Sequence, residues 1–88
     1  MGCIYVVTNL ANGKRYVGQT SRKFHHRKRE HLNSAKIGSN TAFCKAIRKY
    51  GEESFSWDVV FDNVPNEDLN QLEQIIISKN QSTKRING

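Results

Sequence analysis

Eighty-eight residues are enough for one compact domain with a modest core, because a chain this short buries only about 60 to 65% of the surface that its unfolded form exposes. The composition is 36% hydrophobic and 25% charged, and no apolar run approaches the roughly 20 residues of a membrane span. No signal peptide is recognisable at Met1. We therefore expect a cytoplasmic globular protein.

The charge balance points to a polyanionic partner. Fourteen Lys and Arg against eight Asp and Glu give a net charge of +6, which suits nucleic acid. Cys3 and Cys44 have no CxxC spacing, so neither a zinc site nor a disulfide framework is predicted and both are interpreted as core residues.

The N-terminal part of the chain predicts a β-hairpin. Residues 3–7 form a short, continuous apolar run of β-branched and aromatic types, which is typical of a strand buried on both faces. Asn12 and Gly13 favour the positive φ angles of a tight turn, and residues 15–19 form the returning strand.

Two tyrosines and a glycine stand out in this hairpin. A two-residue turn would place Tyr5 opposite Thr20 and Tyr16 opposite Asn9, on the same face, and a wider loop would bring the tyrosines closer. The pattern leaves both registers open, and core packing is the alternative role for both rings. Gly18 inside a strand indicates either a bulge or the close approach of another backbone or of a ligand.

Two helices follow the hairpin. Ser21 is expected to cap a helix that runs to about Ala35. A second helix is expected from about Thr41 to Tyr50, ended by Gly51. Its apolar residues recur at helical spacing: Phe43, Ala46, Ile47 and Tyr50.

The last third predicts a strand and a third helix. From Ser54 to Asp62 the odd positions are apolar and are expected on the core face: Phe55, Trp57, Val59 and Phe61. Pro65 and Asn66 open a last helix that runs to about Lys79. Its expected buried residues are Leu69, Leu72, Ile75, Ile76 and Ile77. The predicted fold is α+β, a small three-stranded antiparallel sheet flanked by three helices in the order β-β-α-α-β-α.

The most basic stretch, residues 22–31, lies on the first predicted helix. Arg27 and His31 are four residues apart, so a guanidinium and an imidazole share a face and can address one phosphate. An arginine can stabilise charge that develops on phosphate oxygens, and a histidine can move a proton near neutral pH. The alternative is a solvated helix face on which Glu30 pairs with the cations.

Glu73 is the notable carboxylate. It follows Leu72 and lies one turn from Leu69 and Ile76, so it falls at the edge of the apolar face and should be partly buried. A buried carboxylate needs a partner, either a cationic side chain or a metal ion. Magnesium binds oxygen ligands, typically one or two carboxylates with waters and phosphate, and a single Glu fits that habit.

The order and spacing of these signals resemble one family over essentially the whole chain. Cys-Ile-Tyr, ten residues and Tyr-Val-Gly are similar to the paired motif of the GIY-YIG nucleases, and the residues between resemble phage and mobile-element members. The other matching motifs are Arg-x-x-x-His at 27–31, Tyr-Gly-x-x-x-Phe at 50–55, Leu-x-x-Leu-Glu at 69–73 and Ile-Asn at 86–87.

The resemblance implies catalytic roles for the matching positions. Glu73 would bind one divalent cation, Mg²⁺ with Mn²⁺ as the alternative, which polarises the scissile phosphate and the leaving oxygen. Arg27 would stabilise the transition state. Tyr5 would orient or deprotonate the attacking water, assisted by Tyr16 and His31, and the resemblance leaves open which of the three is the base.

The resemblance also implies a substrate and a setting. Asn87 would help to organise the site, and double-stranded DNA would be cut to 5′-phosphate and 3′-hydroxyl ends by a phage or mobile-element homing enzyme, acting as a monomer or weak dimer in a bacterial or phage-infected cell. Residues 1–88 would form a single catalytic domain, with the N-terminal part of a longer enzyme as one reading. The residues expected to contact DNA are Lys14, Arg15, Gly18, Lys23, His26, Lys28, Lys45 and Arg48.

Two other functional classes compete with an active nuclease. A catalytically silent DNA-binding module would keep the fold and the basic face, but it would not need Tyr5, Arg27 and Glu73 together. A structural or protein-interaction domain would show no salt-dependent affinity for nucleic acid, whereas neutralising several phosphates makes binding weaken steeply with salt.

Overall fold

The computed structural model describes residues 2–79 and the backbone of residues 83–85. Its strands and helices are β1 (Gly2–Asn9), β2 (Arg15–Thr20), α1 (Phe24–Lys36), α2 (Ala42–Tyr50), β3 (Phe55–Val64), α3 (Leu69–Lys79) and β4 (Thr83–Arg85). The predicted order β-β-α-α-β-α is confirmed, and β4 adds to it. None of the helices in the described ranges is long and apolar enough to cross a membrane.

The sheet has the strand order β3-β1-β2-β4. Its first three strands are antiparallel, as predicted, whereas β4 pairs in parallel with β2. Three residues are too few to show a strand period, so sequence patterning did not reveal β4. The central strand β1 is buried on both faces, in agreement with its continuous apolar run.

The helices cover both faces of the sheet. On one face, Tyr5 and Tyr16 pack with Ala35 of α1 and Phe43 of α2. On the other face, the core is built from strand and α3 residues, with Ile4, Val17, Val64 and Leu69 buried. The sheet is therefore the middle of three layers, and neighbouring residues of β1 and β2 point into different cores.

The β1–β2 hairpin closes with a wider loop than a two-residue turn. Tyr5 lies opposite Gly18 and Tyr16 lies opposite Val7, so the register based on a two-residue turn is wrong. The backbone N–H of Gly13 donates to the carbonyl oxygen of Asn9 over 2.7 Å, and Gly13 alone of the expected turn pair has a positive φ, 77°. The wider loop brings the tyrosines to diagonal positions on one face.

Helix α1 begins later than predicted, at Phe24, so the assignment of Ser21 as its N-cap is wrong. Lys23 occupies the N-cap position without a side-chain hydrogen bond, because residues before it form a turn in which the hydroxyl of Thr20 accepts from the backbone N–H of Arg22 over 3.1 Å. Helix α2 follows the prediction more closely. The hydroxyl of Thr41 accepts from the backbone N–H of Cys44, and the helix ends before Gly51, which has φ of 87°.

The predicted core face of β3 holds for only half of the strand. Phe55 is buried and Trp57 is half-buried, but Val59 and Phe61 are 42% and 43% exposed. The strand lies at the edge of the sheet, and its pairing with β1 shifts near Tyr5, so the alternation is interrupted.

The last helix also differs from its prediction. A short 3-10 turn occupies residues 66–68, and α3 starts at Leu69. Leu69 and Glu73 are its buried residues, whereas Ile75 is 43% exposed. Ile75 lies about 200° around the helix from Glu73, on the side away from the sheet, so its predicted burial is wrong.

Candidate active site

Tyr5 is the centre of the candidate site, and the position of its ring depends directly on Gly18, the residue opposite it in β2. A Cβ atom on Gly18 would overlap the ring and the hydroxyl of Tyr5. The pairing of β1 with β2 runs without a register shift, so the predicted bulge is wrong. The missing side chain of Gly18 leaves the space in which the Tyr5 ring lies.

Tyr5 and His31 form a buried hydrogen-bonded pair. The Tyr5 hydroxyl lies 2.8 Å from Nε2 of His31, across the interface between β1 and α1. The exposed fractions of the two residues are only 1% and 5%. Aromatic rings surround them, with Phe24 stacked at an angle on Tyr5 and Phe43 edge-on to His31.

This burial moves the pKa values of both groups away from neutrality. Desolvation raises the pKa of Tyr5 to about 12, although the charge of Arg27 and a hydrogen bond from it act in the opposite direction. Desolvation lowers the pKa of His31 to about 4, and the charge of Arg27 adds to that effect. At neutral pH the pair therefore consists of a protonated phenol and a neutral imidazole.

Arg27 lies one helical turn before His31 and is partly accessible from solvent. Its Nη1 atom is 3.0 Å from Oε2 of Glu30, and its side chain is 21% exposed. Arg22 also pairs with Glu30, at 3.1 Å. The predicted ionic pairing on the helix face is present, and the guanidinium also lies close enough to Tyr5 to act on its pKa. Arg27 can therefore address a phosphate beside the Tyr5 hydroxyl.

Glu73 approaches the site from α3, on the other side of the sheet. It is 1% exposed, and Nε2 of Gln19 donates to its Oε2 atom over 2.6 Å. The same Gln19 nitrogen donates to Oδ1 of Asn70 over 2.6 Å. The negative charge of Glu73 raises the pKa of Tyr5, so the carboxylate lies within electrostatic range of the phenol.

The family model described as the GIY-YIG catalytic domain matches residues 1–87. The chain belongs to the GIY-YIG family. The resemblance seen in the motifs is thereby confirmed, and with it the class of the domain, the catalytic domain of a nuclease family.

Two curated relatives come from Enterobacteria phage T4, and both carry the name of an endonuclease. The protein segE is 36% identical over 75 residues, which cover 85% of this chain and 33% of segE. The protein segD is 28% identical over 76 residues, which cover 86% of this chain and 31% of segD. The chain thus spans about a third of the length of the curated relatives that it matches.

Solved structures with the same fold include the catalytic domain of the homing endonuclease I-TevI. That domain superposes with a TM-score of 0.78 at 19% sequence identity, covering 100% of both chains. A point mutant of the I-TevI catalytic domain gives a TM-score of 0.78 at 21% identity, covering 93% of this chain and 87% of the other. This likeness confirms the predicted fold class.

The second tyrosine of the GIY-YIG motif lies deeper than the first. Tyr16 is buried on the same face as Tyr5, and its ring centroid is 5.1 Å from that of Phe43. Burial raises the pKa of Tyr16, and the nearby Tyr50 adds to the effect. Tyr16 therefore supports the wall of the site, and its predicted assistance in catalysis stays a prediction. Asn87 lies outside the described residues.

The residues predicted to contact DNA lie in different parts of the GIY-YIG domain. Lys14 and Arg15 are exposed at the hairpin end of the sheet. Lys23 and His26 line a surface cavity of about 670 Å³ that also contains Arg22. A second cavity of about 490 Å³ shares Arg22 with the first and is lined by Arg27. The basic residues at the start of α1 therefore line two neighbouring cavities, together called the groove, and Arg27 lines the second of them.

The remaining predicted DNA contacts have partners within the protein or lie elsewhere. The Nζ atom of Lys28 is 5.4 Å from the centroid of the Trp57 ring, a cation–π contact. Arg48 donates from Nη1 to the carbonyl oxygen of Ala35 over 2.9 Å and so caps the end of α1. Lys45 is exposed on α2, and Gly18 is buried.

Sequence reasoning missed Gln19, which the structure places against the buried carboxylate. One signal could have found it. Strand alternation puts Gln19 on the face opposite to Gly18, which is the face that α3 covers, and Asn70 and Glu73 share one side of that helix at a spacing of three residues.

Proposed function

We propose that this domain is a metal-dependent endonuclease that hydrolyses phosphodiester bonds in double-stranded DNA and leaves 5′-phosphate and 3′-hydroxyl ends. The observation that carries the proposal is the buried hydrogen bond between Tyr5 and His31, with Arg27 and Glu73 acting on the same phenol. Perturbed titratable groups that meet beside an accessible groove are typical of active sites. The names of the phage relatives support the same reaction class.

Tyr5 is proposed to orient the attacking water. In the His31 tautomer whose Nε2 accepts the hydroxyl proton, one lone pair of the phenol oxygen accepts from Arg27 and the other is left to accept from water. As the water attacks phosphorus, its proton moves to the Tyr5 oxygen while the phenol proton passes to His31. The neutral state of His31 at pH 7 is what makes it an acceptor.

Arg27 is proposed to bind the scissile phosphate and to stabilise the charge that grows on its oxygens. In the absence of DNA its guanidinium is held by Glu30 over 3.0 Å, which keeps it near the mouth of the site. A phosphate would replace that carboxylate in a charge-assisted hydrogen bond of greater strength than a solvated ion pair. Arg22, which also pairs with Glu30, can retain that carboxylate when Arg27 turns to DNA.

Glu73 is the residue that would hold the cation. Its carboxylate is buried and oriented by the neutral amide of Gln19, and an oxygen donor of this kind fits Mg²⁺, with Mn²⁺ as the alternative. When bound, the cation would neutralise charge on the scissile phosphate and the leaving 3′ oxygen. Among the described residues, no three His, Cys, Asp or Glu side chains lie close enough together to hold a metal ion, so water and phosphate would complete the coordination.

A phage or mobile-element homing enzyme is the setting that we propose. The phage relatives and the fold of the I-TevI catalytic domain favour it. Recognition of a long DNA site is proposed to come from a further DNA-binding region or from weak self-association, because a domain of 88 residues offers little surface beyond the catalytic groove.

Plasmid cleavage tests the proposal directly. Supercoiled plasmid is incubated with the protein in Mg²⁺, in Mg²⁺ with EDTA, and with the variants Glu73→Ala and Glu52→Ala. Nicking or linearisation should occur with the unchanged protein and with Glu52→Ala, whose side chain is exposed, and should fall at least about 100-fold with EDTA or Glu73→Ala. Intact plasmid in every lane, together with salt-dependent DNA binding, would instead identify a silent DNA-binding module.

A further inference from the structure

The side chain of Gln19 bridges β2 and α3 at the buried carboxylate. Its Nε2 atom donates one hydrogen bond to Oε2 of Glu73 and a second to Oδ1 of Asn70, each over 2.6 Å. A primary amide has two N–H donors, so both are used. The amide of Gln19 therefore has one orientation in which both of its acceptors are satisfied.

The two acceptors belong to one face of α3. Asn70 and Glu73 are three residues apart, which places them one above the other on a helix. Gln19 lies opposite Ile4 in the sheet and faces α3. Because Asn70 accepts one N–H of the amide, the other N–H is aimed at Glu73. This hydrogen bond opposes rotation of the carboxylate about the Cγ–Cδ bond of Glu73.

We infer that Gln19 is a positioning residue that sets the orientation of the Glu73 carboxylate for a divalent cation, with Asn70 holding Gln19 in place. The inference rests on the proposed role of Glu73 as the metal ligand. Groups that hydrogen-bond to a ligating carboxylate typically change metal affinity or activity by about 10- to 100-fold when they are removed.

The chemistry of the side chain supports this role. A neutral amide donates to the carboxylate without cancelling its negative charge, so the charge stays available to attract a cation. A lysine at position 19 would place an ammonium group beside Glu73 and compete with the metal for the same oxygen atoms. An apolar side chain of equal length would fill the space and leave the carboxylate without this donor.

Mn²⁺ binding separates positioning from simple structural support. The variants are Gln19→Met, which keeps length and volume but has no N–H, and Gln19→Lys, which places a cation beside the carboxylate. The matched control is Gln74→Met, because Gln74 is an exposed glutamine next to Glu73 in the chain. Binding of Mn²⁺ alone is followed by electron paramagnetic resonance, the Mg²⁺ dependence of plasmid nicking is measured in parallel, and thermal unfolding reports the fold.

The expected result is a Mn²⁺ affinity about 10- to 100-fold lower in Gln19→Met, and a matching increase in the Mg²⁺ concentration needed for half-maximal nicking. Activity at saturating Mg²⁺ should recover most of the loss. Gln19→Lys should bind Mn²⁺ no better than Glu73→Ala, Asn70→Ala should show a smaller loss than Gln19→Met, and Gln74→Met should equal the unchanged protein. A lower melting temperature without a change in Mn²⁺ affinity would assign Gln19 to the scaffold and overturn the inference.

The two proposals fail in different ways. If Glu73→Ala abolishes Mn²⁺ binding while Gln19→Met and Gln19→Lys bind as tightly as the unchanged protein, only the role of Gln19 is wrong. If the unchanged protein binds Mn²⁺ no better than Glu73→Ala, the metal role of Glu73 is wrong and the inference falls with it. If Gln19→Met does not fold, the comparison between Gln19→Lys and the unchanged protein decides in the same way.

Discussion

Tyr5 and His31 illustrate how burial selects protonation states in this domain. Both are almost fully buried, and desolvation raises the pKa of Tyr5 and lowers that of His31, so the neutral forms are favoured in both cases. The hydrogen bond between them therefore joins a phenol and a neutral imidazole at neutral pH.

The pKa of His31 predicts how stability depends on pH. Its value in the folded protein, about 4, lies below the value of about 6.5 for an unfolded histidine, so the unfolded state takes up the proton first as pH falls. The stability that the neutral, buried His31 contributes is fully present above pH 6.5 and is lost progressively down to pH 4. Its total size is on the order of 3 kcal/mol.

Urea unfolding at pH 7.5, 5.5 and 4.5 measures this contribution. As the pH is lowered, the free energy of unfolding of the unchanged protein should decrease more steeply than that of His31→Gln, which has no titrating ring. The variant His26→Gln is the control, because His26 is exposed. Equal pH slopes for the unchanged protein and His31→Gln would contradict the lowered pKa.

Features of single residues could be predicted from the sequence where they depend on one local segment, but not where they depend on contact between two distant segments. The position of Glu73 at the edge of an apolar helix face predicted partial burial, and the structure buries the residue further, to 1% exposure. The helical spacing of Arg27 and His31 predicted that they share one face of α1. The hydrogen bond to His31 and the effect of Arg27 on the pKa of Tyr5 show that both lie beside that tyrosine. The contact of Gln19 with Glu73 joins two segments that no periodic pattern connects, so sequence did not reveal it.

At the scale of elements, the β1–β2 hairpin positions the site because one strand lacks a side chain where the other has a large ring. Tyr5 lies opposite Gly18, and a Cβ atom at that position would overlap the ring. The ring cannot shift freely, since Phe24 and Trp57 pack on it. The glycine therefore acts through packing on the position of the Tyr5 hydroxyl, to which we assign the catalytic role.

Gly18→Ala is expected to displace Tyr5. Overpacking at a buried position costs about 1 to 3 kcal/mol, and a shift of about 1 Å at a catalytic group can lower the rate about 100-fold. Plasmid nicking and urea unfolding measure the two effects on the same samples. Gly13→Asn is the control, because nothing lies within 4 Å of a Cβ at Gly13 and asparagine tolerates its φ of +77°. Unchanged nicking by Gly18→Ala would contradict this packing role.

Elements were predictable where their pattern is local. The helical spacing around Phe43 and the predicted stop at Gly51 gave α2 within one residue. Ser21 failed as a cap because a turn after Thr20 delays the start of α1. The expected core face of β3 ends beyond Trp57 because the strand lies at the edge of the sheet and its pairing with β1 shifts register near Tyr5. Both errors arise because the structure at these positions depends on neighbouring segments and not only on the local sequence pattern.

At the scale of the whole molecule, part of the basic surface of this chain of net charge +6 lines the groove that contains Arg27. Lys23 and His26 line one cavity, Arg27 lines the next, and the two cavities share Arg22. A DNA strand in this groove would exchange condensed counterions for these cations, so its binding should weaken as salt rises.

The variant Lys23→Ala tests whether DNA binds in this groove. It should weaken binding to a short duplex by a similar factor for any sequence, and it should reduce the slope of the logarithm of affinity against the logarithm of salt concentration by about 1. Lys36→Ala is the matched control, because Lys36 is exposed at the opposite end of the same helix. Fluorescence anisotropy at several salt concentrations gives both slopes, and an equal slope for Lys23→Ala and the unchanged protein would contradict the groove as the DNA path.

Sequence patterns were enough to predict the order of elements from β1 to α3, the burial of β1 on both faces and the candidate residues Tyr5, Arg27, His31 and Glu73. These features follow from periodicities and motifs that lie within short windows of the chain. The hairpin register, the exposed half of β3, the presence and pairing of β4 and the partners of the buried polar groups became known from the three-dimensional structure. Tyr5 and His31 are 26 positions apart, and Gln19 and Glu73 are 54 apart. Which side chains meet over such distances depends on loop closure and on competition for burial in the whole fold, and no local pattern records either.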